Sequence, residues 1–175
     1  SGLVRLQNGN FRRYKKTDGL SSDFIECLHF ADDGALWIGT FGGGLDRFKD
    51  GKFSVVNSGQ GLPNGVIGHI ESDGLGFLWM SSYGGILRGS ERDMNRCADG
   101  ELAEAQFFSY GINEGLPTLE CSEGLQPAGA KTADGRLWFP TAKGLVTVDP
   151  AGVKINRLPP PVLIEEVRVD EKKFA

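Results

Sequence analysis

One short pattern returns along the chain at a near-constant interval. Asp33-Gly34-Ala35-Leu36-Trp37-Ile38-Gly39-Thr40 recurs as Gly74-Leu75-Gly76-Phe77-Leu78-Trp79-Met80-Ser81, and again as Asp134-Gly135-Arg136-Leu137-Trp138-Phe139-Pro140-Thr141. Each copy reads Gly, any residue, Leu, Trp. Trp37 to Trp79 is 42 residues and Trp79 to Trp138 is 59, one further period plus an insertion of 17. A second shared element follows each Trp: Gly44-Leu45-Asp46-Arg47-Phe48, Gly85-Ile86-Leu87-Arg88 and Gly144-Leu145-Val146-Thr147-Val148. Its fourth copy, Gly2-Leu3-Val4-Arg5-Leu6, lies 42 residues before Gly44, so the chain begins inside a repeat. A third element precedes the Trp, as Asp18-Gly19-Leu20, Gly61-Leu62-Pro63 and Glu114-Gly115-Leu116-Pro117. A period in this range marks a repeat architecture, in which each unit buries its faces only against its neighbours.

Within one period the pattern gives short strands separated by turn residues. Phe24 to Phe30 is a β-rich run, Asp32-Asp33-Gly34 a turn, Ala35 to Phe41 a second strand, and Gly42-Gly43-Gly44 a second turn. Leu45 to Phe48, the Lys49-Asp50-Gly51 turn and Lys52 to Val56 complete the set, giving four strands per period. Four antiparallel strands per unit with Asp-Gly turns and one Trp predict the blade of an all-β propeller. Ser90 to Ala98 lacks strand alternation and is expected to form a short helix within the insertion. The expected division is a partial blade at 1–17 and blades at about 18–57, 58–112 and 113–150 within a propeller segment 1–156. The chain therefore holds about three and a half four-stranded blades and reads as a fragment of a ring. Trp37, Trp79 and Trp138 form the expected inter-blade core, and replacing any of them by Ala is expected to cost about 3–5 kcal/mol.

Residues 157–175 read separately. Arg157-Leu158-Pro159-Pro160-Pro161 is a stiff, extended linker, because Pro fixes φ and biases the residue before it. The strand Val162 to Val169 behind it is expected to lack a sheet partner. Its proposed use is as a strut passing movement of the ring toward a membrane.

Composition excludes several functions. A net charge of −4 provides no footprint for nucleic acid, and the run Arg12, Arg13, Lys15, Lys16 reads as a solvated strand face. No apolar stretch reaches the length of a membrane span, and the chain opens without a signal segment. Three cysteines, Cys27, Cys97 and Cys121, without CxxC spacing indicate neither a disulfide framework nor zinc. His29 and His69 fall at different blade positions and read as strand residues, so no catalytic constellation, metal site or cofactor is expected. Gly42-Gly43-Gly44 has no following Lys-Ser or Lys-Thr and reads as a turn, not a phosphate loop. Arg5, Arg47 and Arg88 recur in register and are expected to pair or stack between blades.

The motifs "DGALWIGTFGGGLDRFKDGKF" and "GLPNGVIGHIESDGLGFLWMSSYGGILR" resemble the two-component regulator propeller repeat of bacterial membrane signalling proteins. "EGLPTLECSEGLQPAGAKTADGRLWFPTAKGLVTVDP" resembles the last blade of such propellers, with Ser122-Glu123 replacing a usual Asn-Gly. "NRLPPPVLIEEVRVDEKKF" resembles the opening strand of the triple-tyrosine, immunoglobulin-like domain that follows them. The resemblance implies the periplasmic sensory part of an inner-membrane receptor, non-catalytic itself, controlling a cytoplasmic histidine kinase by phosphorelay. Alternatives are the sensor region of a diguanylate cyclase, or a propeller lyase or hydrolase fragment. Implied partners are a glycan or other small ligand, with the membrane reached only through the parent protein. The exposed blade faces add an expectation of self-association or strand exchange.

The turns between second and third strands and the loops leading to first strands share one face of a propeller. That geometry nominates Phe41, Tyr83 and Lys143 from the turns, and Asn64, Glu120 and Ser122 from the loops, as ligand-binding residues. Aromatic and polar tips of this kind suit sugar stacking and hydrogen bonding.

Overall fold

A computed structural model describes residues 1–122, 124, 127–153, 167–169 and 172–174. Among the described residues the fold is all-β with one α-helix. β1 (Leu3–Gln7) and β2 (Asn10–Tyr14) form a two-stranded half-blade. β3 (Ile25–Phe30), β4 (Leu36–Thr40), β5 (Leu45–Lys49) and β6 (Lys52–Val56) form a four-stranded antiparallel meander, the first blade. β7 (Ile67–Ser72), β8 (Phe77–Ser82), β9 (Gly85–Ser90) and β10 (Phe107–Tyr110) repeat it as the second. The insertion forms α1 (Glu91–Ala98) between β9 and β10, with the Ser90 hydroxyl accepting the Asp93 N–H at its start.

The third blade is three-stranded among the described residues: β11 (Ala130–Lys131), β12 (Leu137–Thr141) and β13 (Gly144–Val148). Its first strand spans two residues among the described ones. Pro127 and Gly129 lie where the ladder would run, and proline has no N–H to give it. Among the described residues the isolated bridge Cys121–Thr141 continues the pairing toward the turn end.

The expectation of an unpartnered strand before Val169 is corrected, since β14 (Val167–Val169) pairs antiparallel with β15 (Lys172–Phe174). The Pro-rich linker and residues 162–166 lie outside the described residues.

Local chemistry explains the repeated elements. The β1–β2 and β5–β6 turns are Asn8-Gly9 and Asp50-Gly51, with both residues of each pair at positive φ, the tight hairpin geometry that follows strand twist. The Gly-Leu element closes a single 3₁₀ turn before each blade. There the N–H groups of Lys15, Asn57 and Gly111 donate to Asp18, Gln60 and Glu114. The leucines that follow, Leu20, Leu62 and Leu116, are buried.

The core lies in the seams. Tyr14, Leu20, Leu36 and Ile38 fill the seam between half-blade and first blade. Trp37 packs forward with Leu45 onto Ile67, Leu78, Met80 and Met94 of the second blade. Trp79 packs forward with Ile86 onto Leu137 and Phe139 of the third. Trp37 and Trp79 are fully buried, as an inter-blade core requires. Trp138 is only half-buried, because no further sheet covers its forward side among the described residues.

Candidate functional site

Each turn joining the second and third strands of a blade is held by one hydroxyl. Thr40 Oγ1 donates to the Gly44 carbonyl at 2.9 Å, Ser82 Oγ to Gly85 at 2.9 Å and Thr141 Oγ1 to Gly144 at 2.8 Å. The same oxygens accept the N–H groups of Gly43, Gly84 and Lys143. A side chain at the tip is therefore presented on a backbone already fixed from inside.

Phe41 and Tyr83 occupy such tips, each 47% exposed. Their rings meet edge to face, with centroids 6.1 Å apart and planes at 86°. The Gly42 and Gly44 N–H groups both donate to the Gly65 carbonyl at 2.9 Å, tying the first blade's turn to the loop that leads into the second. Asn64, in that loop, turns its Oδ1 onto the Val66 N–H at 2.9 Å. A Cβ on Gly84 would lie 3.3 Å from Asn64 Nδ2, so Asn64 also reaches the turn beside Tyr83.

Tyr83, Glu120, Cys121, Ser122 and Ala142 line an open cleft of about 540 Å³ on the same face. Backbone bonds hold its far wall: the Ala142 N–H donates to the Glu120 carbonyl at 3.0 Å, and the Ser122 N–H to Pro140 at 2.8 Å. The structure thus brings Phe41, Tyr83 and Asn64 together and places Tyr83, Glu120 and Ser122 around one cleft. Lys143 is exposed but does not line it; Ala142 does. Counting from Trp37, Trp79 and Trp138, the fourth residue is Phe41, Tyr83 and Ala142, and that spacing was the available signal.

The recurrent arginines are expected to pair or stack between blades, and of Arg47 and Arg88 only Arg47 leaves its own blade, whereas Arg88 stacks within its own, on rings of the adjacent strand β8. Arg47 reaches α1, where it donates to Asn95 Oδ1 at 2.8 Å and pairs with the Asp99 carboxylate. Arg88 lies over the Phe77 ring at 3.8 Å and the Trp79 ring at 5.3 Å. His69 is buried against Phe139, with Nε2 3.7 Å from the Glu71 carboxylate. That imidazole, foremost, holds the Glu71 carboxyl below its usual range. Burial lowers the His29 pKa against the opposing pull of Glu71. Cys27, Cys97 and Cys121 are buried and joined by no disulfide among the described residues, and burial pushes Cys27 up to about 12.

One residue of the turn face escaped the sequence reading. Asp46 on β5 is fully buried, yet Val4, Leu87 and Val146 hold the same repeat position. Its Oδ2 accepts the Ser21 N–H at 3.0 Å, whereas Oδ1 has no hydrogen-bond partner among the described residues. Burial pushes its carboxyl up to about 6, while the Ser21 N–H and hydroxyl pull it back. Comparing residues across the second repeated element would have exposed it.

Meandering four-stranded sheets that stack through one Trp per unit define the blades of a β-propeller. Residues 19–42 match the two component regulator propeller family. Among solved structures, the chain is similar to two crystal structures of the BT4673 extracellular domain from B. thetaiotaomicron. One describes that protein as a proposed one component system, at 20% identity and a TM-score of 0.69. The other describes it as a proposed hybrid two component system, at 20% identity and a TM-score of 0.70. Each match covers 90% of this chain and 22% of the other. The extracellular domain of BT3049, a proposed hybrid two component system of the same organism, matches at 22% identity and a TM-score of 0.64, over 94% of this chain and 22% of its own. The chain thus spans about a fifth of the length of these structures, and the likeness is one of fold. No curated protein matches. Among the described residues no helix is long and apolar enough to cross a membrane.

Proposed function

We propose that this chain is the ligand-recognising part of a periplasmic sensor domain in a two-component receptor, non-catalytic itself and governing a cytoplasmic histidine kinase. The observation that carries the reading is the Phe41–Tyr83 pair beside the Glu120–Ser122 cleft, on turns fixed by buried hydroxyls. The regulator propeller match and the likeness to sensor extracellular domains support it. Exposed aromatic edges with a carboxylate and hydroxyl nearby suit a carbohydrate, whose C–H faces stack on rings while its hydroxyls hydrogen-bond. Titration calorimetry with a panel of oligosaccharides tests this. Binding that weakens at least tenfold in Tyr83→Ala is the expected result; binding indifferent to Tyr83 and Phe41 overturns it.

The same reading includes self-association. Trp138, Pro140 and the 63% exposed Leu145 form the flank that, in the two preceding blades, is covered by the next sheet. A second copy of this chain is the occupant we propose. A monomer in light scattering at tens of micromolar overturns it.

A further inference from the structure

Asp46 replaces an apolar residue of the repeat, and its hydrogen-bond donor is equally out of pattern. Ser21, whose N–H it accepts, stands where the second and third blades have Pro63 and Pro117, neither of which has an N–H. The pair Ser21–Asp46 thus takes the place of Pro63–Leu87 and Pro117–Val146. The blade does not need the carboxylate to fold, since two neighbouring seams are built without one.

The pair sits directly beneath the turn that carries Phe41. Ser21 Oγ lies 3.5 Å from Thr40 Oγ1, the hydroxyl that staples Gly43 and Gly44. A Cβ on Gly43 would come within 2.2 Å of Ser21 Oγ, so the turn rests on Ser21 with no room between them. Among the described residues no cation pairs with Asp46. Ile38 and Val55 are its strand partners on β4 and β6. In the loop before β3, Asp18 and Asp23 accept the backbone N–H groups of Lys15 and Lys16. On the half-blade side, Tyr14 packs with Leu20 and Ile38. A neutral acid fits this pocket, but an ionised one leaves Oδ1 charged, buried and unmatched, which favours admission of water.

We propose that Asp46 is a proton-operated latch on the ligand face. When the carboxyl is protonated, Ser21 stays docked under the Gly42–Gly44 turn and Phe41 stays against Tyr83. When it is ionised, Ser21 lifts to let water reach Oδ1, and the turn and the aromatic pair loosen. The latch rests on the reading of Phe41 and Tyr83 as a binding surface, and it makes ligand affinity depend on periplasmic acidity. Burial, which raises the Asp46 pKa, puts the transition near mild acidity.

The test is amide hydrogen exchange at Gly43 and Gly44, at about pH 5 and about pH 7, corrected for intrinsic chemical exchange, in the full chain. The wild type is expected to lose about tenfold in protection at the higher pH. Asp46→Asn, which keeps an acceptor for Ser21 and cannot ionise, is expected to show no such loss. The double variant Ser21→Pro/Asp46→Leu restores the pairing of the neighbouring blades and is expected to be equally pH-independent. Equal loss in wild type and Asp46→Asn, or no loss in the wild type, overturns the latch. A pH-dependent turn in a chain that binds no oligosaccharide at either pH supports the latch and removes the ligand reading instead.

Discussion

The indole Nε1 of Trp79 donates to Asp73 Oδ2 at 3.0 Å, while Asp73 Oδ1 accepts the N–H groups of Leu75 and Phe77 at 2.7 and 3.1 Å. One side chain thus shapes the turn before β8 and satisfies the buried indole behind it. The third blade repeats the device with Thr132, whose hydroxyl accepts from Trp138 Nε1 at 3.1 Å. In the first blade the corresponding residue is Ala31, and Trp37 Nε1 is buried without a partner among the described residues.

This difference makes Ala31→Thr a stabilising substitution. An acceptor supplied to a buried, unpaired N–H is expected to gain about 1 kcal/mol, read as a higher Tm. Asp73→Ala removes three hydrogen bonds and is expected to cost about 2–3 kcal/mol. A Tm unchanged or lowered in Ala31→Thr would show that the indole of Trp37 is not reached from position 31.

Ser21 and Asp46 form a natural double-mutant cycle. Asp46→Leu alone strands the Ser21 N–H, and Ser21→Pro alone strands a buried carboxylate, each expected to cost about 1–3 kcal/mol. The double variant is expected to cost at least about 1 kcal/mol less than the sum, because it reproduces Pro63–Leu87. Strict additivity in denaturant melts would refute the coupling.

The same carboxylate sets a pH dependence. Its pKa rises from 3.8 to about 6 on folding, so between these values the folded chain keeps a proton that the unfolded chain has released. Stability is therefore fully present below about pH 4 and falls as pH rises through about 6, by about 3 kcal/mol in this group's contribution. Glu71, held below its usual range by His69, contributes the opposite slope at lower pH. The quantity to measure is thus the difference between wild type and Asp46→Asn, which isolates the falling component. A difference that is flat from about pH 4 to about pH 7 would refute it.

The fold was legible because repetition amplifies weak signals. Gly-x-Leu-Trp, the Gly-Leu 3₁₀ closures and the Asp-Gly hairpins each recur at a fixed offset, and α1 was visible as the one stretch where strand alternation fails. The turn face was legible for the converse reason: Phe41, Tyr83 and Asn64 vary where the framework does not. Lys143 lies one residue past the tip that counting from Trp138 gives, and that tip is Ala142, whose small side chain carries no binding signal of its own. β11 is short where it is preceded by Pro127, which has no N–H to give a ladder, and by Gly129. Asp46 looked like an ordinary strand acid, and only its complete burial in an otherwise apolar position gives it meaning.

The three tryptophans, equivalent in sequence, differ in their surroundings, and this separates their expected roles. Trp37→Ala and Trp79→Ala empty sites at 0% exposure and are expected to cost about 3–5 kcal/mol each. Among the described residues Trp138 packs on one side, so Trp138→Ala is expected to cost about 1–2 kcal/mol while the chain is monomeric. Iodide quenching offers a reading that needs no variant to fold, since only Trp138 presents an accessible ring. As protein concentration rises and copies meet through the Trp138 flank, that quenching is expected to disappear and the cost of Trp138→Ala to approach that of the other two. Quenching that stays constant at every concentration would mean that the flank remains uncovered, and self-association through this face would be refuted.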